Sequence, residues 1–205
     1  DVSGSMNSPD KLPLVKQSMG LLLAQLKPTD TVAIVAYAGA AGTVLEPTEA
    51  KDRQQIMAAL ERLSAGGSTA GGQGIQLAYQ LAKTSFNKQA VNRVILATDG
   101  DFNVGMSSDE AMVSLIEKKR DQGVFLTVLG FGIGNLKDSK MEKIADHGNG
   151  NYAYIDNLME AQKVLVEEMG STLNTVAKDT KFQIEFNPSQ VQAYRLIGYE
   201  NRMLE

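Results

Sequence analysis

The chain has 205 residues, 43% of them apolar, enough to bury a full core in one main domain with a short appendage. A net charge of −4 and a pI near 5.2, without a block of Lys and Arg, exclude a nucleic-acid or anionic-membrane surface as the expected partner. Cysteine is absent, which removes disulfides, thiolate catalysis and zinc–thiolate sites, and no apolar run reaches the ~18 residues of a membrane-spanning helix.

The opening stretch, DVSGSMNSPD, places Asp1, Ser3 and Ser5 at alternate positions ahead of a helical pattern. A strand is expected upstream of Asp1, because the residue leaving such a strand would sit where Asp1 does. Leu12, Val15, Met19, Leu22 and Leu26 then recur at helical spacing, with Pro13 suited to the first turn and Pro28 closing the element. TVAIVAYA (31–38) predicts a buried strand, and TVLE (43–46) a short antiparallel hairpin partner at an edge. Ile56, Leu60 and Leu63 mark a second helix. The Gly-rich loop SAGGSTAGGQG (64–74) leads into a third, with Ile75, Tyr79 and Ala82 on one face.

VNRVILAT (91–98) carries the strongest buried-strand pattern and runs directly into Asp99. Ser107 and Glu110 stand at capping-box spacing before a helix with Met112, Leu115 and Ile116. The basic cluster EKKRD (117–121) on that helix reads as a solvated face. A further buried strand (124–131), a short helix (139–146), the strand NYAYI (151–155) and a long helix over 157–175 complete the pattern. Strands separated by helices imply right-handed crossovers, and so a doubly wound, mostly parallel α/β sheet with helices on both faces and one short antiparallel edge strand. From about residue 178 the character changes. KFQIEFN (181–187) alternates strictly, NPS is a turn signal and VQAYRLIGY (191–199) could be a partner strand, so 177–205 reads as the start of a β-rich module after a domain at 1–176.

In an open α/β sheet, sites form beyond the carboxyl ends of the strands where strand order reverses. Asp1 and Asp99 belong there. If the opening segment is extended, Asp1, Ser3 and Ser5 face one point while Val2 and Gly4 face away. The Gly-rich loop supplies another hydroxyl, Thr69. Two carboxylates and three hydroxyls form a hard-oxygen set suited to Mg2+ or Mn2+ and poor for zinc or copper.

These pieces, DVSGS, the Thr of GGSTAGG and TDG after a buried strand, resemble the metal-ion-dependent adhesion site of von Willebrand factor type A domains. The resemblance covers residues 1–176 and implies a Rossmann-like fold. It further implies that Ser3, Ser5 and Thr69 bind the metal through hydroxyls, and Asp1 and Asp99 directly or through water. The usual partner in that family is a protein presenting an Asp or Glu carboxylate, which completes the ion's octahedron. Some members couple binding to a shift of the last helix, here 157–175. The tail, especially QIEFNP and YRLIGYENR, looks like the segment following the A domain in a group of bacterial cell-envelope proteins, some lipid-anchored, which implies an extracytoplasmic location.

Other readings compete. An A domain that assembles without metal would keep the same fold. An aspartate-based phosphoryl-transfer enzyme would want a second Asp two residues after the first, and Ser3 stands there. A non-enzymatic role is therefore expected. Asp101 and Asn103 read as loop-capping residues, His147 as a turn residue, and Tyr152 and Tyr154 as packing. GFGIGN (130–135) lacks the third glycine of a dinucleotide fingerprint, since Asn135 stands there.

Overall fold

Up to residue 168 the helix and strand periodicities produce elements near where they occur. The computed structural model describes residues 1–68, 71–100, 109–133, 138–168, 184–187 and 189–194. Its chain divides into two units, Asp1–Thr175 and Val176–Glu205.

In the first unit a 3-10 turn at Gly4–Asn7 precedes helix α1 (Leu12–Gln25), with Pro13 in its first turn. Strands β1 (Thr31–Tyr37) and β2 (Ala41–Glu49) form an antiparallel pair, as the hairpin spacing predicted. β2 is longer than expected. Its register jumps from Thr48 opposite Val32 to Leu45 opposite Ile34, so Glu46 and Pro47 share the place of one residue. A bulge on an edge strand is where a proline, lacking an N–H, is tolerated.

Helices α2 (Arg53–Glu61) and α3 (Gly71–Thr84) follow, then β3 (Asn92–Thr98), α4 (Asp109–Asp121), β4 (Val124–Phe131), α5 (Asp138–His147) and β5 (Tyr152–Ile155). β3, β4 and β5 are parallel neighbours in that order. Helix α6 (Leu158–Gln162) is capped by Asn157, whose side chain accepts from the N–H groups of Met159 and Glu160. It continues not as a regular long helix but as a π turn, Lys163–Glu167. The remainder of the expected 157–175 helix, and Ser107 of the expected capping box, lie outside the described residues.

Period-2 alternation along the parallel strands sends side chains to two cores. Leu126 and Val128 join Tyr37, Ile75, Tyr79, Met112, Ile116, Met141 and Ile144, beneath α3, α4 and α5. Leu129 and Phe131 join Met6, Leu12, Val15, Leu22, Ile155, Val164 and Leu165, beneath α1 and α6. A third cluster, with Leu23, Leu45, Ile56 and Ala59, seats α2 and α1 against the β1–β2 pair. The helices therefore cover both faces of a mixed α/β core.

One ranking from sequence is reversed. β4 is the strand buried at every position, whereas β3 is fully buried only at Leu96 and Thr98, and β1 only at Tyr37. The cause is topological: β1–β2 and β3–β4–β5 are separate hydrogen-bonded sheets, so β1 and β3 each have one side without a strand neighbour among the described residues. At their carboxyl ends these two edges are spanned by the first dipeptide. The Asp1 nitrogen donates to the Ala97 carbonyl and the Val2 N–H to the Tyr37 carbonyl, each at 2.9 Å.

The packing of α3 on β1 leaves no room at Gly74. A β-carbon there would stand 2.7 Å from Cγ and 2.9 Å from Cβ of the buried Tyr37 ring, with Cδ1 nearer still. Gly74→Ala is expected to destabilise the domain by ~2 kcal/mol, within the usual overpacking range. Chemical denaturation measures it, and a loss below about 0.5 kcal/mol, the size of an ordinary surface change, would show that α3 shifts freely.

In the second unit, Asn187 folds an Asx turn, its side chain accepting from the Ser189 N–H and hydroxyl, while Phe186 and Tyr194 stack with centroids 4.4 Å apart. The turn at NPS is as expected. Residues 184–187 and 191–194 are not in strands; the rest of the expected pair, 181–183 and 195–199, lies outside the described residues.

Candidate functional site

The site is built at the carboxyl ends of β1 and β3. Asp1 is fixed from two directions: its Oδ1 accepts the Ser3 N–H at 2.9 Å and its Oδ2 accepts the Thr98 hydroxyl at 2.9 Å. Ser3 is extended (φ −61°, ψ 164°) and buried, and the Ser3 and Ser5 hydroxyls lie 3.0 Å apart. The expectation of alternation along an extended segment needs correction here. The chain is extended only to Ser3, and the 3-10 turn beginning at Gly4 folds Ser5 back beside it. The Gly-rich loop arrives by backbone pairing, the Gly66 N–H donating to the Val2 carbonyl and the Gly4 N–H to the Gly67 carbonyl.

Asp99 continues from β3 and is buried. Its Oδ2 receives the Lys11 ammonium at 2.9 Å, and the same nitrogen donates to the Ser5 carbonyl at 3.0 Å. Asp1, Ser3, Ser5 and Asp99 thus belong to one linked cluster. Thr69, Asp101 and Asn103 lie outside the described residues. In a polypeptide whose amine is free at Asp1, burial, against the opposing pull of Asp99, lowers that amine to about 5, and burial raises the Tyr37 phenol well above its ordinary range. The neighbouring Ser8 side chain, and the Ile133 N–H that donates to Oδ2 at 2.9 Å, hold the Asp10 carboxyl below its usual range.

Lys11 and Thr98 are the participants that sequence reasoning missed. Lys11, at the N-cap of α1 where a cation gains nothing from the helix dipole, carried no signal for a partner 88 residues away. Thr98 had a faint one, a hydroxyl next to a strand-end carboxylate. Tyr154, read as packing, donates at 2.6 Å to the carbonyl of Gly132, on the turn against which Lys11 rests. His147, read as a turn residue, is the last residue of α5. Its Nδ1 lies 2.8 Å from Glu117 of α4, while Arg120 donates to its carbonyl, so part of the supposedly solvated 117–121 face is an α4–α5 contact.

Chemically the cluster is hard and oxygen-rich. Among the described residues no three His, Cys, Asp or Glu side chains gather; here the donors are two carboxylates and neutral hydroxyls. An ammonium already rests against one of these carboxylates and the Ser5 carbonyl, which fits a place that attracts a cation. The donor set therefore suits Mg2+ or Mn2+ better than a soft metal.

An α/β domain with such a loop cluster beyond its strand ends has the architecture of a type A domain. The family model of the von Willebrand factor type A domain matches residues 1–168, and the chain belongs to that family. Residues 171–205 match a second model, described as the C-terminal part of the uncharacterized protein YfbK. The chain is 50% identical over 204 residues to the uncharacterized protein YfbK of Escherichia coli strain K12, covering 100% of this chain and 36% of the relative. It is 30% identical over 161 residues to the uncharacterized protein sll0103 of Synechocystis, covering 78% of this chain and 37% of that one. The chain thus spans little more than a third of the length of these relatives. Among solved structures it is similar to an aerotolerance-related membrane protein from Bacteroides fragilis, with a TM-score of 0.68 and 25% identity over 84% of this chain and 96% of that one.

Proposed function

We propose that residues 1–176 form a divalent-cation-dependent protein-binding module, with Mg2+ or Mn2+ held by Asp1, Ser3, Ser5, Thr69 and Asp99, that captures an Asp or Glu carboxylate of a partner protein. Type A domains often mediate metal-dependent protein interactions, and the chain belongs to that family. The observation that carries the reading to this chain is the linked cluster of Asp1, Ser3, Ser5 and Asp99. Thr69 enters by its place in the Gly-rich loop alone.

Each residue has a task in this reading. The Ser3 N–H and the Thr98 hydroxyl hold both oxygens of Asp1 in fixed directions, so its carboxylate reaches the site preorganised. Asp99 contributes negative charge from a buried position. The serine and threonine hydroxyls are neutral donors. A bound ion would supply Lewis acidity toward an incoming carboxylate, which neutral donors leave unquenched. The module binds rather than transforms: both Asp1 oxygens are already hydrogen-bonded, which disfavours Asp1 as a nucleophile. A cell-envelope location is the setting we favour. The similar Bacteroides fragilis protein, an aerotolerance-related membrane protein, supports it. No described helix is long and apolar enough to cross a membrane.

A metal-independent assembly scaffold is the second reading, and the Lys11–Asp99 ion pair favours it, since that pair already neutralises the buried carboxylate. Calorimetric titration with Mg2+ and Mn2+ separates the two. Saturable binding is expected in the wild type and none in Ser3→Ala/Ser5→Ala/Asp99→Ala. A folded wild type without binding would leave the scaffold.

A further inference from the structure

We propose that Lys11 is a resident counter-cation of this site, which a divalent ion must displace from Asp99, so that Lys11 sets the metal affinity. The inference rests on the metal-binding reading above. Its basis is the seating of one side chain. Lys11 Nζ is 2.9 Å from Asp99 Oδ2 and 3.0 Å from the Ser5 carbonyl, so it touches the two residues that bring β3 and the serine loop together. The Asp99 side chain is only 3% exposed, and a carboxylate so buried needs a positive partner.

The lysine is seated rather than draped over the surface. Its stem crosses Gly132 so closely that a β-carbon there would lie 2.7 Å from Lys11 Cγ and Cε. The turn carrying Gly132 is held by the Tyr154 hydroxyl on the Gly132 carbonyl and by the Ile133 N–H on Asp10, the residue before Lys11. Lys11 also occupies the N-cap of α1, where its charge gains nothing from the helix dipole. Its location is explained by Asp99. A divalent ion drawing on Asp99 would meet a like charge on the same carboxylate, and like charges at such range repel strongly even in a partly solvated setting.

The test is calorimetric titration of Mg2+ and Mn2+ into the wild-type 205-residue chain, Lys11→Met and Lys11→Arg at one ionic strength, with thermal melts with and without metal. Lys11→Met is expected to bind on the order of tenfold more tightly or better, the effect of removing one nearby like charge. It should melt lower than wild type without metal and gain more from saturating Mg2+. Lys11→Arg should resemble wild type. Lys11→Gln, which keeps a donor without the charge, serves as the second variant if Lys11→Met does not fold. Binding in the neutral variant equal to or weaker than wild type overturns the inference and makes Lys11 a residue that orients Asp99. Binding in neither protein, both being folded, overturns the metal reading and this inference with it.

Discussion

Gly150→Ala is expected to cost the domain ~3–6 kcal/mol, combining overpacking with the loss of buried backbone hydrogen bonds. The segment 148–151 runs beside β4 just ahead of β5. The Leu126 N–H donates to the Gly148 carbonyl at 3.0 Å, and the Val128 N–H to the Asn151 carbonyl at 2.9 Å. A β-carbon on Gly150 would fall on the Leu126 carbonyl group and within 3.0 Å of the Thr127 nitrogen. These are backbone atoms of the strand buried at every position, so no side chain can rotate away. Either the two hydrogen bonds break or β4 moves within its cores. Thermal unfolding should show a melting temperature lower by about 6 °C or more, at roughly 2–4 °C per kcal/mol for a chain of this size. Asn149→Gly is the control: Asn149 has φ 52°, which glycine adopts freely, so that change should be nearly neutral. A Gly150→Ala variant within about 1 kcal/mol of wild type, an ordinary mutational loss, would mean that the loop stands off β4 in solution.

The second large effect is a pH dependence. A 205-residue polypeptide with a free amine at Asp1 is expected to lose stability as the pH falls from about 8 to about 5. Burial is the chief cause of the depressed value, and the Asp99 charge opposes it. The sign follows from proton counts. Between the folded value of about 5 and the ordinary 8.0, the unfolded chain binds the extra proton and the folded chain does not. Stability from this group is therefore complete above pH 8 and is lost as the pH drops through the window. The ceiling is about 4 kcal/mol, from about 1.4 kcal/mol for each pH unit. Acetylating the Asp1 nitrogen removes the titration while leaving an N–H for the Ala97 carbonyl. Urea unfolding of the free and acetylated forms from pH 8.5 to 5 should give curves that diverge toward acid. Parallel curves would show that the amine reaches water in the folded state.

Much of this architecture could be read from residue types and spacing, and the parts that could not share a cause. The β3–β4–β5 run was legible because each strand is a continuous apolar stretch followed by a helix of the right period. The antiparallel hairpin was legible from a connection too short for a crossover. Burial was not. Among the described residues VFLTVLGF has strand neighbours on both sides while VNRVILAT and TVAIVAYA each have one, and neighbours are a property of topology. The site divided along the same line. Asp1, Ser3, Ser5 and Asp99 were legible because their oxygens stand at loop positions that the sheet must bring near one another. The 3-10 turn that seats Ser5 was masked by the Asp-x-Ser-x-Ser alternation although Gly4, Ser5 and Asn7 are turn formers, and Lys11 was hidden because its partner is 88 residues away. The interruption of α6 by a π turn has no signal that we can identify in KVLVE.

The dipeptide that joins the two sheets gives the oxygen cluster a mechanical character. One peptide unit separates the bond to β3 from the bond to β1, and Ser3 follows immediately. There is no slack between them. A shear of one sheet past the other would therefore reach the Asp1 carboxylate and the serine hydroxyls almost undiminished, with a lever arm of a single residue. Asp1 and Ser3 thus stand across both strand ends, so that a change in the separation of β1 and β3 would alter the spacing of their oxygens.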